Sequence, residues 1–192
     1  MNDSYSDPWT GVLHNKLRIA GPDELARAEF TLVSMRDAQI GRTVLPGAYD
    51  LAHLQRFHRH LFQDVYLWAG KLRTVNIEKP GATFCLAPHI ASYAASDVFP
   101  LIAKYDYLRT ADRDLFLDRL AETLGEVNAL HPFREGNGRT QRAFFRQLSA
   151  AAGWRLDWST LDPTANIAAC RAAMSGRVGP LRAALGSLLT AL

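Results

Sequence analysis

Apolar residues recur at helical spacing over most of the chain. Leu25, Ala28, Leu32 and Met35 step by three and four, Pro22 precedes them and Gly41 follows, so a first helix is predicted over residues 23–41. A second is predicted over residues 49–68, where Leu51, Leu54, His58, Leu61, Val65 and Trp68 share one face. His58 interrupts that stripe and reads as a hydrogen-bonded core histidine rather than a ligand or base. A third helix, within residues 88–107, carries Pro100 and is expected to kink or split there. Leu117, Leu120, Leu124 and Val127 form the stripe of a fourth, which brings His131 to its C-terminal end before Pro132 makes continuation difficult. A fifth restarts at Asn137 or Gly138 and runs through Phe144, Phe145 and Leu148 to about Ala152. The alanine- and leucine-rich residues 163–192, broken by Gly176, Gly179 and Pro180, predict two short closing helices.

Two stretches depart from this rhythm. The first twenty residues are polar, contain Pro8 and Trp9, and are expected to lie as an extended arm over a single domain formed by residues 21–192. Residues 71–87 hold two short β-prone runs, Thr74-Val75-Asn76-Ile77 and Thr83-Phe84-Cys85-Leu86, around Glu78-Lys79-Pro80-Gly81-Ala82. They predict a β-hairpin whose exposed edge could pair with an extended peptide, a candidate substrate clamp.

With 48% apolar and 21% charged residues among 192, the chain can build a hydrophobic core and shows no signature of disorder. Its net charge of +3 is spread among acidic residues without a stripe or tail, which disfavours a nucleic-acid footprint. Cys85 and Cys170 have no metal-ligand spacing and read as reduced and buried. Residues 1–8 resemble no secretory signal, and no apolar run approaches a bilayer span, so a cytoplasmic protein is expected.

The chemistry is concentrated in His131-Pro-Phe-Arg-Glu-Gly-Asn-Gly-Arg-Thr-Gln-Arg142. A helix starting on Gly136-Asn137-Gly138 points unpaired N–H groups and its positive end outward, and the glycines admit phosphate oxygens. Arg139 and Arg142 sit in its first turn, where cations are misplaced unless an anion is expected. Glu135 suits Mg²⁺ beside phosphates, a reading preferred to a salt bridge with Arg139 or Arg142. Asn137 can contact a phosphate or cap the helix, and Phe133 is expected to anchor the loop in the core. His131 is placed to move a proton to or from a hydroxyl. The run thus predicts a nucleotide site; it lacks the lysine of a P-loop.

These residues resemble the Fic motif, HxFx[D/E]GNGRxxR, at every specified position, and the segment from Tyr66 through Trp68-Ala69-Gly70 to Arg73 and Ile77 resembles the lead into the Fic flap. The resemblance implies an all-α Fic fold, a helical bundle with a small β-hairpin flap at about residues 71–87. It implies a nucleotidyltransferase that moves AMP from ATP to a Tyr, Thr or Ser hydroxyl of a target protein. By position, His131 would deprotonate the hydroxyl, Glu135 would hold Mg²⁺, and Gly136, Asn137, Gly138, Arg139 and Arg142 would bind the phosphates. Thr74, Val75, Asn76, Ile77, Thr83 and Phe84 of the flap would dock the target.

Relatives are commonly restrained by a helix carrying [S/T]xxxE[G/N]. The one Ser or Thr four residues before a glutamate is Thr74 before Glu78, inside the flap and followed by Lys79. The chain therefore resembles single-domain bacterial Fic toxins whose small antitoxin supplies that helix, with type II topoisomerase subunits such as DNA gyrase B as a first expectation for the target. A Doc-like phosphotransferase is the alternative enzyme, disfavoured by Gly136 and Gly138. A non-enzymatic nucleotide- or nucleic-acid-binding module would leave His131 and Glu135 without purpose.

Overall fold

The fourth sequence-predicted helix is the spine of the molecule. In the computed structural model, which describes residues 3–79 and 82–192, α5 (Arg113–Leu130) is buried on several faces, including Phe116, Leu117, Leu120, Ala121, Leu124, Val127 and Leu130. A helix apolar beyond one stripe belongs in the middle of a bundle. Asp112 starts it, its carboxylate accepting the N–H groups of Asp114 and Leu115.

Around this spine pack α6 (Asn137–Ala151), α7 (Pro163–Met174) and α8 (Gly179–Gly186), while α1 (Pro22–Ile40) lies on α2 (Leu51–Phe62), which packs on α6. Aspartates cap α2 and α7 as well: Asp50 accepts from the His53 N–H and Asp162 from those of Thr164 and Ala165. Phe144 on α6 sits at the centre, its ring 5.6 Å from those of Tyr49 and Phe57 and 5.4 Å from that of Phe145. The all-α expectation holds, and so does the small hairpin: β1 (Glu78–Lys79) pairs antiparallel with β2 (Ala82–Thr83), Glu78 opposite Thr83.

Several elements differ from the sequence reading. The second helix ends at Phe62 rather than Trp68, because Lys16 takes the carbonyls that would extend it: its Nζ donates to Gln63 at 2.8 Å and its N–H to Val65 at 2.8 Å. On α1 the buried positions are Leu25, Glu29, Val33 and Ile40, whereas Met35 is 61% exposed. The hairpin strands occupy part of the segment read as its turn, and the apex residues Pro80 and Gly81 lie outside the described residues.

The stretch with Pro100 is helical in pieces: α3 (Ile90–Tyr93), a π-helical turn over Ala94–Val98, and α4 (Phe99–Lys104). Pro100 has no N–H to give the preceding turn, and the wider turn absorbs the loss. A second small sheet was not foreseen: β3 (Trp154–Leu156) pairs antiparallel with β4 (Leu189–Ala191) and ties the tail to the end of α6. Within residues 3–20 the chain turns back on itself, Ser6 bridging Leu13, with Val12 buried and Trp9 94% exposed. Cys170 is buried and free, but Cys85 is free and only partly covered, correcting the expectation for that thiol.

Candidate active site

His131 is the C-cap of α5 and takes a left-handed conformation, φ 42° and ψ 60°, which turns the chain out of the spine into the loop. Its Nδ1 lies 3.1 Å from the Asn128 carbonyl, which can only accept, so Nδ1 carries the proton and the lone pair of the neutral ring is on Nε2. Phe84 stacks on the imidazole at 3.8 Å between centroids. Phe84 is thus buried against the His131 ring instead of being displayed on the flap.

Phe133 is buried and anchors the loop, stacked on the His58 ring at 3.9 Å. The Asn137 side chain locks the turn from inside: its Oδ1 accepts from the Phe133 N–H at 2.9 Å and its Nδ2 donates to the Phe133 carbonyl at 2.7 Å. That side chain is committed to the loop, so what Asn137 offers an anion is its main-chain N–H.

His58 binds on both ring nitrogens. The Gly70 N–H donates to Nδ1 at 2.8 Å, and Nε2 donates to the Glu135 carbonyl at 3.0 Å. Burial, partly opposed by the Glu135 carbonyl, lowers its pKa to about 3. His58 is the core residue expected, and it fixes the loop besides.

Gly136 adopts φ +82°, and a Cβ there would stand 2.3 Å from Cζ of Phe62, so the loop passes against that ring with no room for a side chain. The next residues open α6, whose start has no side-chain cap. First-turn N–H groups have no partner within a helix, so they face the cleft as a ready anion cradle.

Arg139 donates to Glu29 on α1 at 2.6 Å and to Glu135 at 3.1 Å, and lies over the Phe62 ring. Glu135 therefore makes the salt bridge weighed as its alternative role. Its Oε1 also accepts the Gly136 N–H at 2.8 Å, and its side chain is 46% exposed. Glu29 is buried and accepts a hydrogen bond from the Tyr66 hydroxyl, whose pKa is raised by burial and by that carboxylate. Among the described residues no carboxylate lies within ion-pair distance of Arg142, whose pKa is lowered by burial and by the adjacent Arg139 cation.

Thr74, Val75, Asn76 and Ile77 line a cleft of about 530 Å³ with His131 and residues 134–138. They form no strand; Thr83 is exposed and lies away from the cleft wall. What holds them is Arg73, which is 2% exposed. Its Nε donates to the His131 carbonyl at 2.9 Å, its Nη1 to Val75 at 2.8 Å and its Nη2 to Cys85. A second cavity is bounded by Phe84, His131, Gly138, Arg142, Trp158 and Cys170, sharing His131 and Gly138 with the first.

Arg73, Glu29 and Tyr66 had no assigned role in the sequence reading. Only the polar residue on an apolar helix stripe could have flagged Glu29. Among the described residues no cluster of three or more His, Cys, Asp or Glu could hold a metal by itself, and no helix is long and apolar enough to cross a membrane.

Residues 48–149 match the Fic/DOC family model. Over 161 residues the chain is 44% identical to protein adenylyltransferase VbhT of Bartonella schoenbuchensis, covering 84% of this chain but 34% of that protein, so it spans about a third of VbhT. It is 38% identical over 191 residues to the probable protein adenylyltransferase y4lH of Sinorhizobium fredii, covering 98% and 97% of the two chains. Among solved structures, BepC of Bartonella tribocorum with bound AMPPNP superposes with a TM-score of 0.91 at 24% identity, over 98% of this chain and 97% of that one.

Proposed function

The chain belongs to the Fic/DOC family, and from that premise and the loop geometry we propose that it transfers AMP from ATP to a hydroxyl of a target protein. One observation carries the reading: an uncapped helix start stands beside Arg142, a largely covered cation that no carboxylate reaches at ion-pair distance among the described residues, Asp37 acting on it only from further off while pairing with Arg146. Such a cation is costly unless an anion joins it. A phosphate chain laid on the first turn of α6 satisfies both.

The target hydroxyl gives its proton to Nε2 of His131 while its oxygen bonds the α-phosphorus, and the bond from α-phosphorus to the bridging oxygen breaks, releasing pyrophosphate. The carbonyl of Asn128 on Nδ1 favours the imidazolium that forms. The α6 N–H groups and Arg142 hold the negative charge that develops.

Mg²⁺ fits this arrangement, since it takes one or two carboxylates and otherwise waters and phosphate oxygens. The half-exposed Glu135 carboxylate would hold it, and the ion would neutralise phosphate charge. The target is expected to lie along Thr74–Ile77, with main-chain groups pairing there.

The relatives named adenylyltransferases favour AMP over γ-phosphoryl transfer. ATP labelled on the α- or γ-phosphate, incubated with a bacterial lysate, tests the choice. Transfer of α-label that is lost in His131→Ala supports the reading; transfer of γ-label alone makes the protein a Doc-like kinase.

The same reading includes a restraining partner: a small antitoxin helix that places its glutamate on Arg142. Support comes from the groove between α1 and α6, where Phe30 is 71% exposed beside Val33, Leu61, Arg139 and Arg142. Arg142→Ala that leaves antitoxin affinity and control unchanged would refute it. Type II topoisomerase subunits are the targets to assay first, with the cytoplasm as the expected setting.

A further inference from the structure

Among the described residues β1 and β2 share two residue pairs, so little of the flap is held by a ladder of its own. Its inner arms, Thr74–Ile77 and Phe84–Leu86, share no strand pairing; Asn76 Oδ1 accepts the Ala87 N–H at 2.9 Å at their outer end, and the guanidinium of Arg73 spans them deeper in. Each nitrogen of that fork meets the carbonyl of a different segment: Nε the motif histidine His131, Nη1 the first arm at Val75, Nη2 the second arm at Cys85. The Arg73 N–H adds a fourth tie, to the Pro132 carbonyl at 2.9 Å, and the Cys85 N–H reaches the Ala129 carbonyl at 2.9 Å.

Among the described residues no carboxylate lies within ion-pair distance of Arg73, so this buried cation relies chiefly on its hydrogen bonds to carbonyl groups. Burying a cation without a counter-ion carries a desolvation cost that is a poor route to stability by itself. Its planar fork does what no apolar side chain can, holding three carbonyls at fixed separations.

We infer that Arg73 is a positioning residue that sets the distance between the target-docking flap and the His131 imidazole. The carbonyl it grips belongs to the residue whose left-handed backbone aims the base, and the arm it grips through Cys85 carries Phe84, which covers that base. Arg73 thus couples where the target lies to where its proton goes. This rests on the transfer reading above, but part of its test does not.

Arg73→Lys keeps the charge and loses the fork. Hydrogen exchange by mass spectrometry, which needs no activity, is expected to show the flap peptides spanning Thr74–Leu86 exchanging at least tenfold faster, with α6 unchanged. The Mg·ATP dissociation constant is expected to stay within threefold of wild type, while kcat for target modification falls about 100-fold. Arg73→Ala is expected to regain part of its kcat with millimolar guanidinium and none with ammonium. Flap exchange within twofold of wild type in Arg73→Lys would overturn the inference, as would a parallel loss of nucleotide binding and flap protection, the mark of a merely structural residue. If the wild-type protein transfers no label, the transfer reading fails, and the exchange result still decides whether Arg73 holds the flap to His131.

Discussion

Gly136 and Gly138 flank one asparagine, yet the structure gives them opposite jobs, and substituting each by alanine separates folding from nucleotide binding. At Gly138 an added Cβ would meet Nη1 of Arg142 at 3.4 Å, the movable end of a long side chain. The backbone there is helical, so Gly138→Ala is expected to leave stability unchanged or raise it by up to ~1 kcal/mol. The methyl nevertheless stands where a phosphate oxygen must approach the first-turn N–H groups. Lengthening one charge-assisted hydrogen bond costs roughly 1.5–3 kcal/mol, or about 10- to 100-fold in nucleotide affinity.

At Gly136 the Cβ would stand 2.3 Å from Cζ of Phe62, a buried ring stacked 4.6 Å from His58, and the backbone φ is +82°. Left-handed strain of about 1–2 kcal/mol and overpacking of about 1–3 kcal/mol add to roughly 2–5 kcal/mol. For a chain of this size that lowers Tm by about 4–20 °C. Thermal melts with and without Mg·ATP, with calorimetric titration at one temperature, read both quantities. A Gly138→Ala protein that binds Mg·ATP like wild type would refute the anion cradle, and a Gly136→Ala protein of undiminished Tm would refute the packing argument.

Three further outcomes follow from the same geometry. Asn137→Ala strands the buried N–H and carbonyl of Phe133, so denaturant unfolding should show a loss of about 2–4 kcal/mol. His58 binds its proton only near pH 3 when folded but near 6.5 when unfolded, so the unfolded state holds the extra proton between those values. Its contribution to stability is complete above about pH 6.5 and falls by ~1.4 kcal/mol per pH unit toward pH 3, and urea titrations at several pH values should show that slope lessened in His58→Gln. Asp112→Ala removes the α5 cap far from the cleft and should cost about 1 kcal/mol in urea unfolding, with target modification unaltered.

The loop from His131 to Arg142 was legible in the sequence because its chemistry is contiguous: imidazole, carboxylate, glycines and arginines are local to one helix end and one helix start. Helix order was legible for a similar reason, since each stripe and each Pro or Gly boundary lies within its own segment. What was hidden depends on distant partners. Glu29 occupies an apolar stripe, tolerated because Tyr66 and Arg139 satisfy it, and with that buried carboxylate passed over the stripe was continued from Leu25 and Leu32 to the exposed Met35 instead of through Val33 to Ile40. The arms of the flap looked like strands because Thr, Val and Ile favour extended backbone, but their carbonyls are taken by Arg73 and their shape owes little to cross-strand pairing. β3 and β4 are three residues each, too short for a period, and they meet only because α7 and α8 fold back between them.

The central claim is that the loop from His131 to Arg142 moves AMP onto a protein hydroxyl. Peptide mass spectrometry of lysate proteins incubated with the wild-type chain and Mg·ATP tests it most directly. A Tyr, Thr or Ser carrying the mass of one AMP is expected, with pyrophosphate released and the adduct missing when His131→Ala replaces wild type. An adduct of a single phosphate, or an AMP adduct that survives His131→Ala, would contradict it.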